Sequence, residues 1–179
     1  MIMKKLKNKT VLIIFIGILT AAVIAAVFFE GLLLPGYSKP HDRTERDDPA
    51  GITVIQRQRK IEVILDDEKI WELPKGVLAQ DFLLEDIDHD SEKELLILCW
   101  KRGRFGEHKP TWVKHDEIGW SQHIFIYEIQ NRKVIPKWMA SDIGMKAAAW
   151  KFEDGVLSIT DIDGITTKWA WIVWGLEKV

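Results

Sequence analysis

The sequence contains a single cysteine, Cys99, among 179 residues. One cysteine cannot close a disulfide within the chain, and it provides no Cys-x-x-Cys pair for zinc or redox chemistry. Because Cys99 lies within the apolar run Leu95–Trp100, we expect a buried side chain that acts as a small hydrophobe. Stabilisation by internal disulfides is therefore excluded.

An excess of basic residues is also lacking, because the formal net charge at pH 7 is −2. Four lysines lie within the first ten residues, and setting them and Glu30 aside leaves 21 basic and 26 acidic residues, a balance of about −5. A general nucleic-acid-binding domain would instead carry a broad basic surface. We therefore expect no nucleic-acid partner.

The common catalytic fingerprints are missing as well. The chain has no G-x-S-x-G motif, P-loop, glycine-rich dinucleotide motif or H-E-x-x-H motif. Carboxylates are numerous, so a pair suited to glycoside hydrolysis remains open. A zinc site would need the chain to bring together His108, His115 and His123, which are seven and eight residues apart; the default interpretation is that these histidines are structural or exposed.

A long apolar run is present near the N-terminus. Val11–Phe29 contains no charged residue, and as a helix it would span about 28 Å, close to the hydrocarbon thickness of a bilayer. We therefore predict a basic cytoplasmic tail over 1–10, a transmembrane signal-anchor helix over 11–34 and a linker over 35–50. A cleaved signal peptide is the alternative. The anchor predicts an extracytoplasmic C-terminal domain.

From Gly51 onward the pattern is typical of β-strands. Short apolar or alternating segments are separated by turn residues, as in Ile61–Leu65 before Asp66-Asp67-Glu68. A similar order recurs after Ile124, with turns at Gln130-Asn131-Arg132 and Asp154-Gly155. We predict an all-β domain over 51–179 with about 8–10 antiparallel strands, in two blade-like meander units (51–100 and 123–179). Two units are too few for a closed propeller, so a sandwich-like or barrel-like fold is expected.

The residues Asp86–Trp100, DIDHDSEKELLILCW, place three aspartates at alternate positions. Carboxylates spaced in this way converge on one point when the chain turns tightly, and calcium prefers about six to eight oxygen ligands. We predict a structural Ca²⁺ bound by the Asp86, Asp88, Asp90 and Glu94 carboxylates with the Glu92 carbonyl. The alternative is a solvated acidic hairpin, although four like charges this close together repel one another unless an ion or a lysine neutralises them.

This D-x-D-x-D pattern before an apolar strand resembles the calcium loops of FG-GAP and VCBS-type repeats, which form the blades of integrin-like β-propellers. The resemblance is close over about fifteen residues. It implies a blade-like β unit and a calcium-binding loop. An EF-hand differs, because it requires glycine at loop position 6, glutamate at position 12 and flanking helices.

The segment Lys101–Gln122, hereafter the basic–aromatic loop, is long for a connection within a domain, and such loops often carry function. Its basic side chains alternate with aromatic rings, a combination that attracts anionic polymers, sugars or head groups. The alternative is that the tryptophans cap the β core and the lysines are ordinary surface residues. The candidate binding residues are Lys101, Arg102, Arg104, Phe105, His108, Lys109, Trp112 and Trp120.

The run WKRGRFGEHKPTWV, followed by HIFIY and KWMAS, is similar to a segment of Gram-positive envelope proteins, some connected with capsule or polyglutamate export. The resemblance implies an accessory role at the cell envelope. We therefore expect a non-enzymatic binding or assembly module whose partner is an anionic wall polymer or a membrane protein. The alternative is an enzyme, or enzyme subunit, that processes capsule, polyglutamate or polysaccharide.

Overall fold

The structure, a computed structural model, describes residues 13–24, 34–105 and 111–179. The chain divides into two units, Met1–Pro35 and Gly36–Val179. Cys99 is fully buried in the second unit, as expected for a small core residue.

The described part of the N-terminal unit is one helix, α1, over residues 13–24. Twelve helical residues span about 18 Å, and no helix among the described residues is long and apolar enough to cross a membrane. The described residues therefore contradict the predicted single-pass anchor, and the cytoplasmic N-terminus and external domain that were inferred from the anchor lose that basis. The basic segment 1–10 and the remainder of the predicted span outside α1 and Leu34 lie outside the described residues.

The described residues of the second unit form twelve strands in three four-stranded antiparallel sheets, which confirms the predicted all-β class. The first sheet has the order β1-β2-β3-β4, the middle sheet β5-β6-β7-β8 and the third sheet β12-β11-β10-β9. The strands are β1 Arg43–Asp47, β2 Ile52–Arg57, β3 Lys60–Leu65, β4 Glu68–Glu72, β5 Val77–Glu85, β6 Glu94–Arg102, β7 Trp120–Gln130, β8 Lys133–Met139, β9 Ala147–Glu153, β10 Val156–Asp161, β11 Thr166–Ile172 and β12 Gly175–Lys178.

Tight hairpins connect neighbouring strands at the turns that the sequence indicates. Positive φ angles occur in pairs at Asp66-Asp67 (49° and 65°), Asn131-Arg132 (52° and 59°) and Asp154-Gly155 (53° and 76°). Two consecutive residues with positive φ suit the two-residue turns whose twist matches that of the flanking strands. Asn, Asp and Gly tolerate this backbone region better than most residues, which explains the position of these hairpins.

The middle sheet is covered on both faces, and this arrangement corrects the prediction of two blade-like units. One face carries Phe82 and Ile97 and packs with Val54 and Ile61 of the first sheet. The other face carries Leu96, Leu98, Ile124 and Ile126 and packs against Leu157, Ile159 and Leu176 of the third sheet. β6 and β7 are apolar on both faces, as expected for strands that are covered by a sheet on each side. They are joined by the basic–aromatic loop and pair directly with each other, so they do not belong to separate units.

The predicted linker 35–50 is also corrected, because it contributes a strand. β1 pairs with β2 from Arg43↔Gln56 to Asp47↔Ile52. The Arg43 side chain donates hydrogen bonds to the Phe82 carbonyl at 2.8 Å and to the Asp81 carboxylate at 3.2 Å. These contacts join the polar β1 to the middle sheet, although its sequence lacks the apolar alternation of a core strand.

A buried amide network attaches the third sheet to the middle sheet. Gln122 accepts the Ala147 N–H at 2.8 Å and donates to the Ala147 carbonyl at 2.7 Å. It also donates to Gln80 Oε1 at 2.7 Å, and that oxygen accepts the Trp100 indole N–H at 2.8 Å. Gln80 and Gln122 are 5% and 3% exposed, so these bonds form where water does not compete for the polar groups.

Candidate functional sites in two polar loops

The acidic loop, residues 86–93, connects β5 to β6 and is organised by its own carboxylates. Asp86 accepts the backbone N–H groups of Asp90 and Ser91, each at 3.0 Å. Asp90 accepts the N–H of Glu92 at 2.8 Å. His89 and Ser91 have positive φ angles of 65° and 77°, which produces the tight turn that the aspartate spacing predicts.

Three acidic side chains of this region surround the ammonium group of Lys137 in β8. Lys137 Nζ lies 2.5 Å from Asp88 Oδ2, 2.8 Å from Glu94 Oε1 and 3.2 Å from Glu128 Oε1. The Lys137 side chain is only 10% exposed and that of Glu94 only 2%. The repulsion between the carboxylates is therefore offset by a lysine of the chain itself.

The local environment keeps this lysine protonated. Burial alone would lower the pKa of Lys137, but its hydrogen bonds to Asp88, Glu94 and Glu128 outweigh burial and raise the pKa. Burial raises the pKa of Glu94, and hydrogen bonds from Lys137 and from the Ile87 N–H oppose that shift. The cluster is thus a partly buried network whose positive charge persists at neutral pH.

The predicted calcium ligands are brought together in part. Asp86, Asp88 and Glu94 each offer an oxygen, and these oxygens lie within 4.8 Å of one another. Asp90 and Glu92 are exposed and contribute to the loop turn. One oxygen of Asp88, Oδ1, is buried and has no hydrogen-bond partner among the described residues. Sequence reasoning missed Lys137, although a lysine within the mainly apolar strand VIPKWM is itself a signal of an internal charge partner.

The ends of the basic–aromatic loop belong to the middle sheet. β6 continues to Arg102 and β7 begins at Trp120, so the connection is shorter than predicted. The Asp116 carboxylate accepts the N–H groups of Arg104 at 2.8 Å and Phe105 at 3.1 Å. Gly103 has a φ of 77°, and a Cβ there would lie 2.3 Å from Asp116 Oδ2, so only glycine fits this close approach.

Several candidate binding residues lie in cation–π pairs at the base of this loop. The cationic groups and ring centroids are 5.0 Å apart for Arg102 and Trp120, and 5.6 Å for Arg104 and Phe105. The corresponding distance is 6.0 Å between Lys101 and the ring of Phe125 in β7. The Trp112 side chain is 82% exposed. His108 and Lys109 lie outside the described residues.

His123 is fully buried beside the base of the loop. Its Nδ1 lies 3.1 Å from the Ala140 carbonyl and its Nε2 lies 2.8 Å from Ser121 Oγ, which in turn donates to the Gly103 carbonyl at 2.7 Å. Burial lowers the pKa of His123. The histidine therefore links the strand ends structurally, and the described histidines do not converge on a metal site.

Thermal unfolding should show a pH dependence that is specific to His123. Because its pKa is lowered in the folded state, its contribution is complete above the unfolded-state value of about 6.5 and is lost as pH falls through the folded-state pKa. We expect the unfolding midpoint of the unmodified chain to fall more than that of His123→Gln between about pH 7.5 and pH 5.5. His115→Gln, at an exposed position, should retain the full pH slope; identical slopes for the unmodified chain and His123→Gln would contradict the assignment.

Comparisons with known proteins yield no family assignment. No protein-family model matches the chain, and neither the curated proteins nor the solved structures include a significant match.

Proposed function

We propose that the β domain is a non-enzymatic binding or assembly module that recognises an anionic polymer through the basic–aromatic loop. The main supporting observation is the pairing of guanidinium groups with rings, Arg102 with Trp120 and Arg104 with Phe105. Exposed Trp112 adds apolar surface to the same loop. Cations held against rings keep their charge toward solvent while the rings provide flat contact area.

The charge balance of the loop favours an anionic partner. Between Lys101 and Gln122 the sequence has five lysine and arginine residues and three acidic residues, in a chain whose net charge is −2. One of the acids, Asp116, is bound to backbone N–H groups at the loop base. A locally positive loop on an acidic protein attracts a polyanion to that position and repels it elsewhere.

The alternative, an enzyme that processes such a polymer, requires two carboxylates that face each other about 5–10 Å apart across a cleft. In the acidic cluster, Asp88, Glu94 and Glu128 instead share Lys137. A neutralised and partly buried cluster is better suited to stabilising the fold than to proton transfer. This geometry supports the binding function over the enzymatic one.

Binding of fluorescent poly-glutamate, with poly-lysine as the opposite-charge probe, tests the proposal. Arg102→Ala with Arg104→Ala should weaken poly-glutamate binding about tenfold or more, because two cationic contacts are lost. Lys151→Ala with Lys168→Ala makes the same charge change at exposed positions of the third sheet and should have little effect. Trp112→Ala, which removes a side chain that is 82% exposed, should weaken binding without lowering the unfolding midpoint. Equal affinities for all variants would refute the proposal.

We further propose that the acidic loop binds Ca²⁺ in competition with Lys137. Three carboxylate oxygens within 4.8 Å of one another support this proposal, as does the unsatisfied buried oxygen of Asp88. A neighbouring pocket is lined by four acidic side chains, Asp90, Glu92, Glu94 and Glu128, together with Lys93. This donor set consists of the oxygen ligands that calcium prefers.

Calcium titration followed by thermal unfolding tests whether Ca²⁺ competes with the ammonium group of Lys137 for these carboxylates. Millimolar Ca²⁺ should raise the unfolding midpoint in proportion to its affinity, and Asp88→Ala should abolish the rise. Lys137→Met should increase the calcium-dependent rise, because the competing ammonium group is removed. Magnesium at the same concentration controls for ionic strength. If Ca²⁺ fails to shift the midpoint of Lys137→Met, the site does not bind calcium.

A further inference from the structure

A cavity of about 240 Å³ lies between the middle and third sheets. Its walls are mainly apolar and include Ile124, Trp138, Met145, Ile159, Trp169 and Leu176. The cavity is partly open to solvent, so a small solute can reach it from outside. Ligand pockets are concave, mainly apolar and supplied with few polar groups. The volume is below the usual range for drug-sized ligands, so a small occupant is indicated.

The two indole walls are held in place by other contacts. The Trp169 N–H donates to Thr167 Oγ1 at 2.8 Å, which orients the ring. Trp138 packs edge-on against Trp171, with centroids 6.5 Å apart. It also lies against Gly175, where an added Cβ would be 2.7 Å from Trp138 Nε1. The cavity is therefore preformed, since its aromatic walls are fixed by partners outside it.

The charge of the lining selects the class of occupant. Among the described residues that line the cavity, Asp142 is the only charged one. Its Oδ1 accepts the Gly144 N–H at 3.0 Å and its Oδ2 lies 3.7 Å from Arg104 Nε. The cavity thus combines two indoles with one carboxylate. Indole faces attract cations through their quadrupole, and such aromatic sites recognise quaternary ammonium groups.

We propose that this cavity binds a small quaternary ammonium compound, with the methylated cation between Trp138 and Trp169 and its charge balanced by Asp142. The methyl groups pack against the apolar walls of the cavity. A quaternary ammonium group has no N–H, so it needs no hydrogen-bond acceptor from these walls. Arg104 is a competitor within the protein, because it shares the Asp142 carboxylate. The site is distinct from the proposed polyanion surface, although Arg104 of that surface forms an ion pair with Asp142 of the cavity.

Choline and its neutral carbon analogue 3,3-dimethylbutanol are the matched probes, because they differ in the charge of the head group and have similar shapes. Isothermal titration should show choline binding about tenfold more tightly than the neutral analogue. Asp142→Asn should weaken choline binding to a similar degree, whereas Asp163→Asn, at an exposed turn, should not. Ala140→Leu narrows the cavity and should abolish binding, while Ala148→Leu, outside the cavity, serves as its control.

Arg104→Met separates this proposal from the proposed function. The variant should bind poly-glutamate more weakly and choline more tightly, because it removes a cation from the loop and also frees the Asp142 carboxylate. Loss of poly-glutamate binding without a gain in choline affinity supports only the polyanion surface. Equal binding of choline and 3,3-dimethylbutanol, or no detectable binding of choline by any variant, would overturn the inference.

Discussion

Replacing Lys137 with methionine should lower the free energy of unfolding by about 3–5 kcal/mol at neutral pH, because it leaves buried carboxylates without their cation. Glu94, with a side chain only 2% exposed, has no route to full hydration. Methionine retains most of the apolar stem of lysine, so the loss of charge dominates over the loss of packing. Urea unfolding monitored by tryptophan fluorescence gives the free energy directly.

The same variant should regain stability as pH falls. Burial already raises the pKa of Glu94, and without Lys137 the hydrogen bond that opposes this shift is lost, so the pKa of Glu94 in the folded state rises further above its unfolded-state value. Groups with raised pKa values favour the fold at low pH and lose that contribution as pH rises. Lys133→Met, at the exposed start of the same strand, should cost no more than about 0.5 kcal/mol. Equal small losses for both variants would show that the cluster does not need its lysine.

Replacing Gln122 with leucine should cost about 1–3 kcal/mol, because it leaves the Ala147 N–H buried without its partner, while the Ala147 carbonyl keeps only the hydrogen bond from Gln80. The side-chain nitrogen of Gln122 donates hydrogen bonds of 2.7 Å to Gln80 Oε1 and to the Ala147 carbonyl. Its side-chain oxygen accepts the Ala147 N–H at 2.8 Å. Leucine has a similar volume, so the penalty arises from unsatisfied polar groups. We expect the unfolding midpoint to fall and the third sheet to open before the first sheet.

Native-state hydrogen exchange checks the location of this effect. Amides of β9 and β10 should lose protection in Gln122→Leu, whereas those of β2 and β3 should lose less. Gln130→Leu, at the exposed end of the same strand, provides the matched control and should change the stability by less than about 0.5 kcal/mol. A uniform loss of protection across the three sheets would contradict a specific role in holding the third sheet.

Local sequence patterns predicted the hairpins well. The turns at Asp66-Asp67, Asn131-Arg132 and Asp154-Gly155 depend on residues that tolerate positive φ, a property of each short segment. The burial of Cys99 follows in the same way from its apolar neighbours. Asp86, Asp88 and Glu94 could likewise be grouped from their spacing, because the loop that joins them is short.

Long-range pairing was harder to anticipate. The long polar sequence between β6 and β7 predicts separate units, whereas the two strands pair directly with each other. β1 cannot be predicted from its residues RTERD, because they show no apolar alternation. The strand is held instead by its pairing with β2 and by the hydrogen bond from Arg43 to the middle sheet. The membrane anchor was predicted from a continuous apolar run, whereas the described helix covers residues 13–24.

Residue types and their local spacing are enough to predict a β protein with short hairpins, a buried lone cysteine, an acidic loop and a basic–aromatic loop, because each of these properties depends on a few neighbouring positions. Sheet packing instead stacks the three sheets, brings Lys137 of β8 into the acidic cluster, and places Trp138, Trp169 and Asp142 around one cavity. Such contacts join residues far apart in the chain, and their geometry is set by how the sheets pack, which no local pattern encodes.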